Sequence, residues 1–333
     1  MTIRWGIIGC GDVTEVKSGP GFQKANGSAL VAVMRRDRAK AEDYARRHGV
    51  PRVHGDAAAL VDDPGVDAIY IATPPSSHRE LALMAAAAGK PCLVEKPMAR
   101  THGECLEMIE AFRRVSTPLW VAYYRRALPR FLLVRELLKD GRIGRVTSAH
   151  VLLTAPLARG DAAQSWHFDP AISGGGLVFD VGSHCVDLLD FFFGPIMSAR
   201  AFSTNTGGAY PPEDVTTATF EFESGLLGTG SFNFNAFEKT DRLILTGSEG
   251  EIVTPVFSDG DIVVRRRDGG IENHPVERPP HVHQPLIQTI VDELNGRGRC
   301  ESTGESGARA SWVLDRCVEG YYSASAQRRV PSP

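Results

Sequence analysis

Ile3-Arg4-Trp5-Gly6-Ile7-Ile8-Gly9-Cys10-Gly11-Asp12-Val13-Thr14 is an apolar, strand-like run that passes without a linker into a glycine turn. The pattern is G-x-G-x-x-T. The first glycine permits the tight turn, the second lets backbone approach a pyrophosphate, and a third would mainly ease helix–strand packing. Thr14 at the third position therefore leaves the phosphate role of Gly9, Gly11, Asp12 and Val13 intact. Alone the pattern is weak, and a plain structural turn has the same spelling. Its setting strengthens it. Further apolar runs (Leu30–Met34, Ala68–Ala72, Pro91–Val94, Leu119–Ala122) alternate with helix-patterned segments through the first third of the chain. Such alternation marks a parallel sheet with crossover helices. A dinucleotide-binding half is expected, its first helix kinked or broken at Ser18-Gly19-Pro20-Gly21.

The second run ends in Met34-Arg35-Arg36-Asp37-Arg38. NAD sites place an Asp or Glu against the ribose 2′-OH about 20 residues beyond the glycines. Arginines stand there instead. Charge-assisted hydrogen bonds contribute about 1.5–3 kcal/mol each, so Arg35, Arg36 and Arg38 point to a 2′-phosphate, and to NADP(H) over NAD(H). The competing reading is a pair of solvated arginines opening a basic helix, with Asp37 as its N-cap. Thr73-Pro74-Pro75 breaks the third run before a helix from about Ser77 to Ala88, stopped by Gly89. This puts Thr73, Pro74 and Pro75 on the same sheet rim as Gly9, where open parallel sheets bind ligands. His78 reads either as part of that groove or as an ordinary first-turn histidine. Val94-Glu95-Lys96-Pro97 closes the fourth run. Pro97 lacks an N–H and cannot continue a central strand, so Lys96 is expected at the rim.

At 333 residues the chain is longer than one core usually supports. Two domains are expected, 1–123 binding the dinucleotide and 124–333 binding substrate and forming oligomer contacts. The balance of 37 Lys+Arg against 40 Asp+Glu gives no broad pull toward nucleic acid or a membrane surface. Six cysteines without a C-x-x-C pair suit free thiols in a reducing compartment and predict neither a disulfide framework nor a zinc site. Met1 leads almost directly into the first strand, which leaves no room for a secretion signal. The longest apolar runs fall short of the ~20 residues that span a bilayer. The expectation is a soluble, cytoplasmic protein.

Late in the first domain, Thr101 to Glu104 has capping-box spacing that starts a helix before the last strand, Leu119–Ala122. Tyr123-Tyr124-Arg125-Arg126 follows the last apolar run and leads to Pro129. Tyr124 and Arg126 suit a polar, sugar-like ligand or a phosphate, or else form a domain-crossing salt-bridge cluster. Ser165-Trp166-His167-Phe168-Asp169-Pro170 precedes Gly174-Gly175-Gly176, and a helix should follow these glycines. Asp180 and His184 are then at i and i+4 on one face, with Asp187 extending the stripe. Two candidate ligands make a poor metal site, and none is predicted. The set reads either as acid/base groups or as a buried Asp–His pair within a core. From Met197 to Val264, short alternating runs (Ala199–Asn205, Thr216–Phe222, Gly228–Asn235, Arg242–Thr246, Ile262–Arg265) indicate a sheet with one apolar face. Helices at about Pro285–Asn295 and Gly307–Ser323 are expected to pack on the first domain or the sheet, and residues 328–333 to form a frayed tail.

Gly9-Cys10-Gly11, Thr73-Pro74-Pro75 with His78, Glu95-Lys96-Pro97, and Gly174-Gly175-Gly176 with Asp180 and His184 occur in this order. With them the chain resembles the Gfo/Idh/MocA family of NAD(P)-dependent oxidoreductases, which includes glucose-fructose oxidoreductase and inositol dehydrogenase. The resemblance implies an α/β protein: an N-terminal Rossmann domain and a C-terminal α/β domain with a large open, mostly antiparallel sheet. It implies that Lys96 lies beside the nicotinamide, that Glu95 helps hold the cofactor, and that Asp180 and His184 are catalytic. Trp166 matches a tryptophan near the nicotinamide and the substrate, whereas His167 stands where related reductases carry arginine. The Arg126-to-Pro129 segment is similar to one that crosses between the family's domains, and relatives form dimers or tetramers through the open sheet. The implied reaction is hydride transfer between NADP(H) and a carbonyl or secondary-alcohol carbon of a sugar-like, inositol-like or dihydrodiol substrate. Two alternatives stay open: a glycoside hydrolase that cycles a bound dinucleotide, and a non-catalytic NADP sensor.

Overall fold

The computed structural model describes residues 1–328. Residues 329–333 of the expected tail lie outside the described residues, and Arg328 ends the last helix, Gly304–Arg328. The chain divides into two compact units, Met1–Leu128 with Pro279–Ala308, and Pro129–Arg278 with the residues from Arg309 onward.

The first unit contains six strands: β1 (Ile3–Ile8), β2 (Ser28–Met34), β3 (Arg52–His54), β4 (Ala68–Ile71), β5 (Cys92–Val94) and β6 (Leu119–Val121). They pair in the order β3-β2-β1-β4-β5-β6, every pair parallel. β4, β5 and β6 are buried at every position, which is why they read as continuous apolar runs. β3 escaped the sequence reading because Arg52 and His54 are polar. Asp63 holds them, accepting from Arg52 Nη1 at 3.1 Å and contacting His54 Nε2 at 3.0 Å.

The expected break in the first helix is a pair of short helices, Asp12–Val16 and Gly19–Lys24, with Pro20 in the first turn of the second. Close packing explains it. A Cβ at Gly19 would lie 2.2 Å from both the Thr14 carbonyl oxygen and the Tyr44 hydroxyl, and one at Gly21 would lie 3.2 Å from the backbone of Gln284. The glycines thus admit the helix Gln284–Leu294 against Gly19–Lys24. Since overpacking costs about 1–3 kcal/mol, Gly19→Ala should lower the thermal midpoint by several degrees, read by circular dichroism. An unchanged midpoint would contradict this packing.

The second unit holds β7 (Val146–Thr154), β8 (Ile196–Thr204), β9 (Val215–Phe222), β10 (Leu227–Asn233), β11 (Thr240–Gly247), β12 (Gly250–Thr254), β13 (Ile262–Arg266) and β14 (Ile271–His274). They form one sheet in the order β14-β13-β12-β11-β7-β10-β9-β8. Only β7 and β10 run parallel; the other pairs are antiparallel. Ala149, Val151, Leu153, Phe220, Phe232, Leu243 and Leu245 are buried on one face. Helices cover that face: Phe193 packs edge-on against Phe222, and Ser203 Oγ donates to the Cys317 carbonyl at 2.7 Å. The opposite face is open, with Phe202 90% and Leu227 60% exposed.

Candidate functional site

The carboxyl ends of β1, β4 and β5 are neighbours at the point where strand order reverses, and each carries one of the sequence motifs. Gly9 has φ +93°, and a Cβ there would lie 2.7 Å from Thr73 Cγ2. Both facts demand glycine. At Gly11 a Cβ would meet only the Gly9 carbonyl, at 3.8 Å, so the turn keeps open space for a ligand to approach backbone. Thr14 is buried and its hydroxyl donates to the Gly11 carbonyl at 2.7 Å, closing the turn where a third glycine was absent. Asp12 and Val13 start the short helix after the turn. These features fit a dinucleotide, with Gly9, Gly11 and the backbone of the turn available to hold its phosphates.

Arg35 is half-buried and donates to the Cys10 carbonyl at 3.1 Å, so it folds back onto the turn. Arg36 is exposed, and Arg38 pairs with Glu42 at 2.8 Å across an exposed helix turn. Asp37 caps that helix by accepting from the Lys40 N–H at 3.2 Å. The cap and the turn-facing guanidinium coexist.

His78 is fully buried. Its Nε2 lies 2.7 Å from the Thr73 carbonyl, and its Nδ1 lies 3.2 Å from the carbonyls of Pro97 and Met98. It therefore ties the Thr73-Pro74-Pro75 turn to the Lys96 turn from behind. Burial lowers its pKa below the ordinary histidine value, against the raising effect of the carbonyls.

Lys96 is half-buried, next to a cis bond to Pro97. Glu95 is 7% exposed and points inward. Its Oε1 accepts from the Tyr70 hydroxyl and from His283 Nε2, the latter at 3.0 Å, and its Oε2 accepts from the Lys96 N–H at 3.1 Å. Burial alone would raise this carboxyl, but His283, Tyr70 and Lys96 outweigh it and hold it at about 2. Tyr70 and His283 were not singled out in the sequence. Tyr70 lies within an apolar strand, and the only mark of His283 is a His281-Val282-His283 triplet far along the chain.

Tyr124 and Arg126 are buried in the same unit. The Tyr124 ring packs 4.4 Å from that of His283, and Arg126 donates to the Glu301 carbonyl at 3.2 Å. These contacts tie the chain's return segment to the first unit, a role the sequence did not reveal.

In the second unit, Asp180 lies on a π-helical turn, Val178–Gly182, and His184 opens the α-helix Ser183–Phe193. The wider turn replaces the regular helix expected after the three glycines. Asp180 is half-buried, whereas His184 and Asp187 are buried. The His184 ring meets Phe257 edge-on, with centroids 5.9 Å apart. Trp166 stacks on His167 at 3.7 Å and stays 38% exposed, and Ser165 Oγ holds His167 Nδ1 at 2.6 Å. Glu213, unnoticed in the sequence, anchors the glycine turn: its Oε1 accepts from the Gly176 N–H at 2.7 Å and its Oε2 from the Tyr322 hydroxyl at 2.9 Å. Burial pushes its pKa up to about 7. Among the described residues no three His, Cys, Asp or Glu side chains gather as a metal-binding group, all six cysteines are free and buried, and no helix is long and apolar enough to cross a membrane.

A parallel sheet in this order, opened by a glycine turn and joined to a large mostly antiparallel unit, defines a Rossmann-type oxidoreductase architecture. A family model described as "Oxidoreductase family, NAD-binding Rossmann fold" matches residues 3–123, and one described as "GFO/IDH/MocA C-terminal domain" matches residues 131–253. The chain belongs to the Gfo/Idh/MocA family. An oxidoreductase of Formosa agariphila designated P35 is 37% identical over 318 residues, covering 94% of this chain and 97% of that protein. An inositol 2-dehydrogenase of Saccharopolyspora erythraea is 30% identical over 331 residues, covering 98% and 91%. Among solved structures, a levoglucosan dehydrogenase in complex with NADH and levoglucosan is similar with a TM-score of 0.86, covering 97% of this chain and 98% of that one. At 22% identity that likeness speaks for the fold.

Proposed function

We propose that this protein is an NADP(H)-dependent dehydrogenase or reductase acting on a carbonyl or secondary-alcohol carbon of a sugar-like, inositol-like or dihydrodiol substrate. The observation that carries the reading is the rim itself, where Gly9, Thr73 and Lys96 follow the carboxyl ends of three adjacent parallel strands. When bound there, the nicotinamide supplies the hydride donor or acceptor. Gly9, Gly11 and the Thr73-Pro74-Pro75 turn bind the dinucleotide, and Arg35 and Arg36 receive the 2′-phosphate. Hydride loss from an alcohol carbon requires the hydroxyl proton to leave as well, so a positioned acid/base is needed. Lys96 and His184 hold and move that proton, and Asp180 orients the substrate or one of these side chains. Trp166 and His167 contribute to substrate binding.

Net cofactor oxidation or reduction with a panel of ketosugars, inositols and dihydrodiols tests the reaction. Release of free sugar without net change in cofactor would instead favour a hydrolase. The cofactor assignment has its own test. An Arg35→Ser/Arg36→Ser double variant should lose about 10- to 10³-fold in NADPH affinity while binding NADH nearly as the wild type does. Wild-type protein that binds NADH as tightly as NADPH sinks the assignment. Two further readings belong here. Six separate buried thiols support a cytoplasmic location, and the open sheet face carrying Phe202 and Leu227 supports a homodimer or homotetramer formed through it.

A further inference from the structure

We propose that His283 is a positioning residue for the reacting centre: it clamps Glu95, and Glu95 in turn fixes the backbone of Lys96. The inference rests on Lys96 being at that centre. The chain reaches back 188 residues to make the contact from His283 Nε2 to Glu95 Oε1, at 3.0 Å. Both side chains are buried, His283 at 1% and Glu95 at 7% exposure.

A buried carboxylate is stable only when its oxygens are paired. Here Oε1 carries two donors, the Tyr70 hydroxyl and His283 Nε2, and Oε2 carries the Lys96 N–H at 3.1 Å. These donors come from β4, from the return segment and from the Lys96 turn itself. His78 faces the same turn from the helix His78–Ala87 and feels the Glu95 charge, which acts to raise its pKa against the larger lowering by burial. Taking away one donor leaves the carboxylate under-paired in a dry site, where it must turn or take a proton. Either response loosens the anionic acceptor that holds the Lys96 N–H.

The histidine is shaped for this one contact. The carboxylate requires a proton on Nε2, and Nδ1 is buried with no hydrogen-bond partner among the described residues. A ring serving only to knit the fold would be expected to use both nitrogens, as His78 does. Instead the ring packs against Tyr124 at 4.4 Å between centroids, and the His283 backbone N–H is held by the Lys17 carbonyl at 3.2 Å. His283 also precedes the helix Gln284–Leu294 as its N-cap residue, so its backbone is fixed on both sides.

The experiment compares His283→Leu, which removes the donor, with His283→Gln, whose amide nitrogen reaches about as far as Nε2. Two readouts are taken: steady-state turnover across pH with the best panel substrate and NADPH, and amide exchange of the peptide containing Lys96 in cofactor-free protein. His283→Leu should lose about 10- to 100-fold in kcat with little change in the KM for NADPH. Its pH profile should lose activity on the acid side at higher pH than the wild type does, as Glu95 takes a proton, and the Lys96 amide should exchange faster. His283→Gln should recover most of both. A folded His283→Leu with wild-type kcat, pH profile and exchange overturns the proposal. If the leucine variant does not fold, His283→Asn, whose amide stops short of Glu95, gives the same comparison. Turnover that survives Lys96→Met overturns the functional reading, whereas wild-type exchange in the donor-lacking variants overturns the clamp alone.

Discussion

Lys96→Met should reduce turnover of the best panel substrate by about 10²–10⁴-fold, the usual contribution of a positioned proton-transfer group. That loss equals about 3–5 kcal/mol of transition-state stabilisation. NADPH affinity should change far less, because the glycine turn and the arginines at the end of β2 are untouched. Methionine matches the lysine stem up to Cε and removes the amine that moves a proton, so packing of the stem is kept. His184→Ala should show a loss of the same kind if it shares the proton. Wild-type turnover in both variants, with the fold intact by circular dichroism, would make the whole constellation structural.

Glu213→Gln should make the protein more stable at pH 8 than the wild type and flatten its stability between pH 5 and 8. Burial raises the Glu213 carboxyl from an ordinary 4.5 to about 7, against the hydrogen bonds from Gly176 and Tyr322. The sign follows from linkage. Between these two values the folded protein binds a proton that the unfolded chain has already lost, so the favourable contribution is complete below pH 4.5 and fades as pH rises through about 7. At about 1.4 kcal/mol per decade the loss is on the order of 3 kcal/mol. Glutamine keeps an oxygen for the Gly176 N–H and offers an NH₂ to the Tyr322 oxygen. Urea midpoints at pH 5 and pH 8 measure the effect, and a variant with the wild-type slope against pH would refute it.

The fold was legible where burial was one-sided or complete. β4 and β5 are apolar from end to end, β1 is so but for the exposed Arg4, and β9 and β10 alternate strictly, so composition spelled them out. β7, at the centre of the second sheet, was missed because its outward residues, among them His150 and Thr154, look like loop residues when the partner strands are unknown. β3, β12 and β14 are short and largely polar or half-buried. For the site, local pattern located Gly9, Thr73 and Lys96 on one rim, because a strand end is a local event. It did not reveal that Glu95 faces inward, nor that Tyr124 and Arg126 serve the return segment. Those facts depend on His283 and Glu301, whose positions follow from the folded path and not from spacing.

The return of Pro279–Ala308 to the first unit bears on how the molecule comes into being. When residue 128 leaves the ribosome, the nascent first unit still has a bare outer edge on β6, because Trp120 pairs with Thr303 and Val121 with Ser302. Glu95 is then also without His283. The nucleotide-binding half is thus completed only after the whole second sheet has been made, although all six of its strands are translated first. Until residues 279–308 are made, that half keeps an unpaired sheet edge on β6, the kind of edge that invites pairing with other chains.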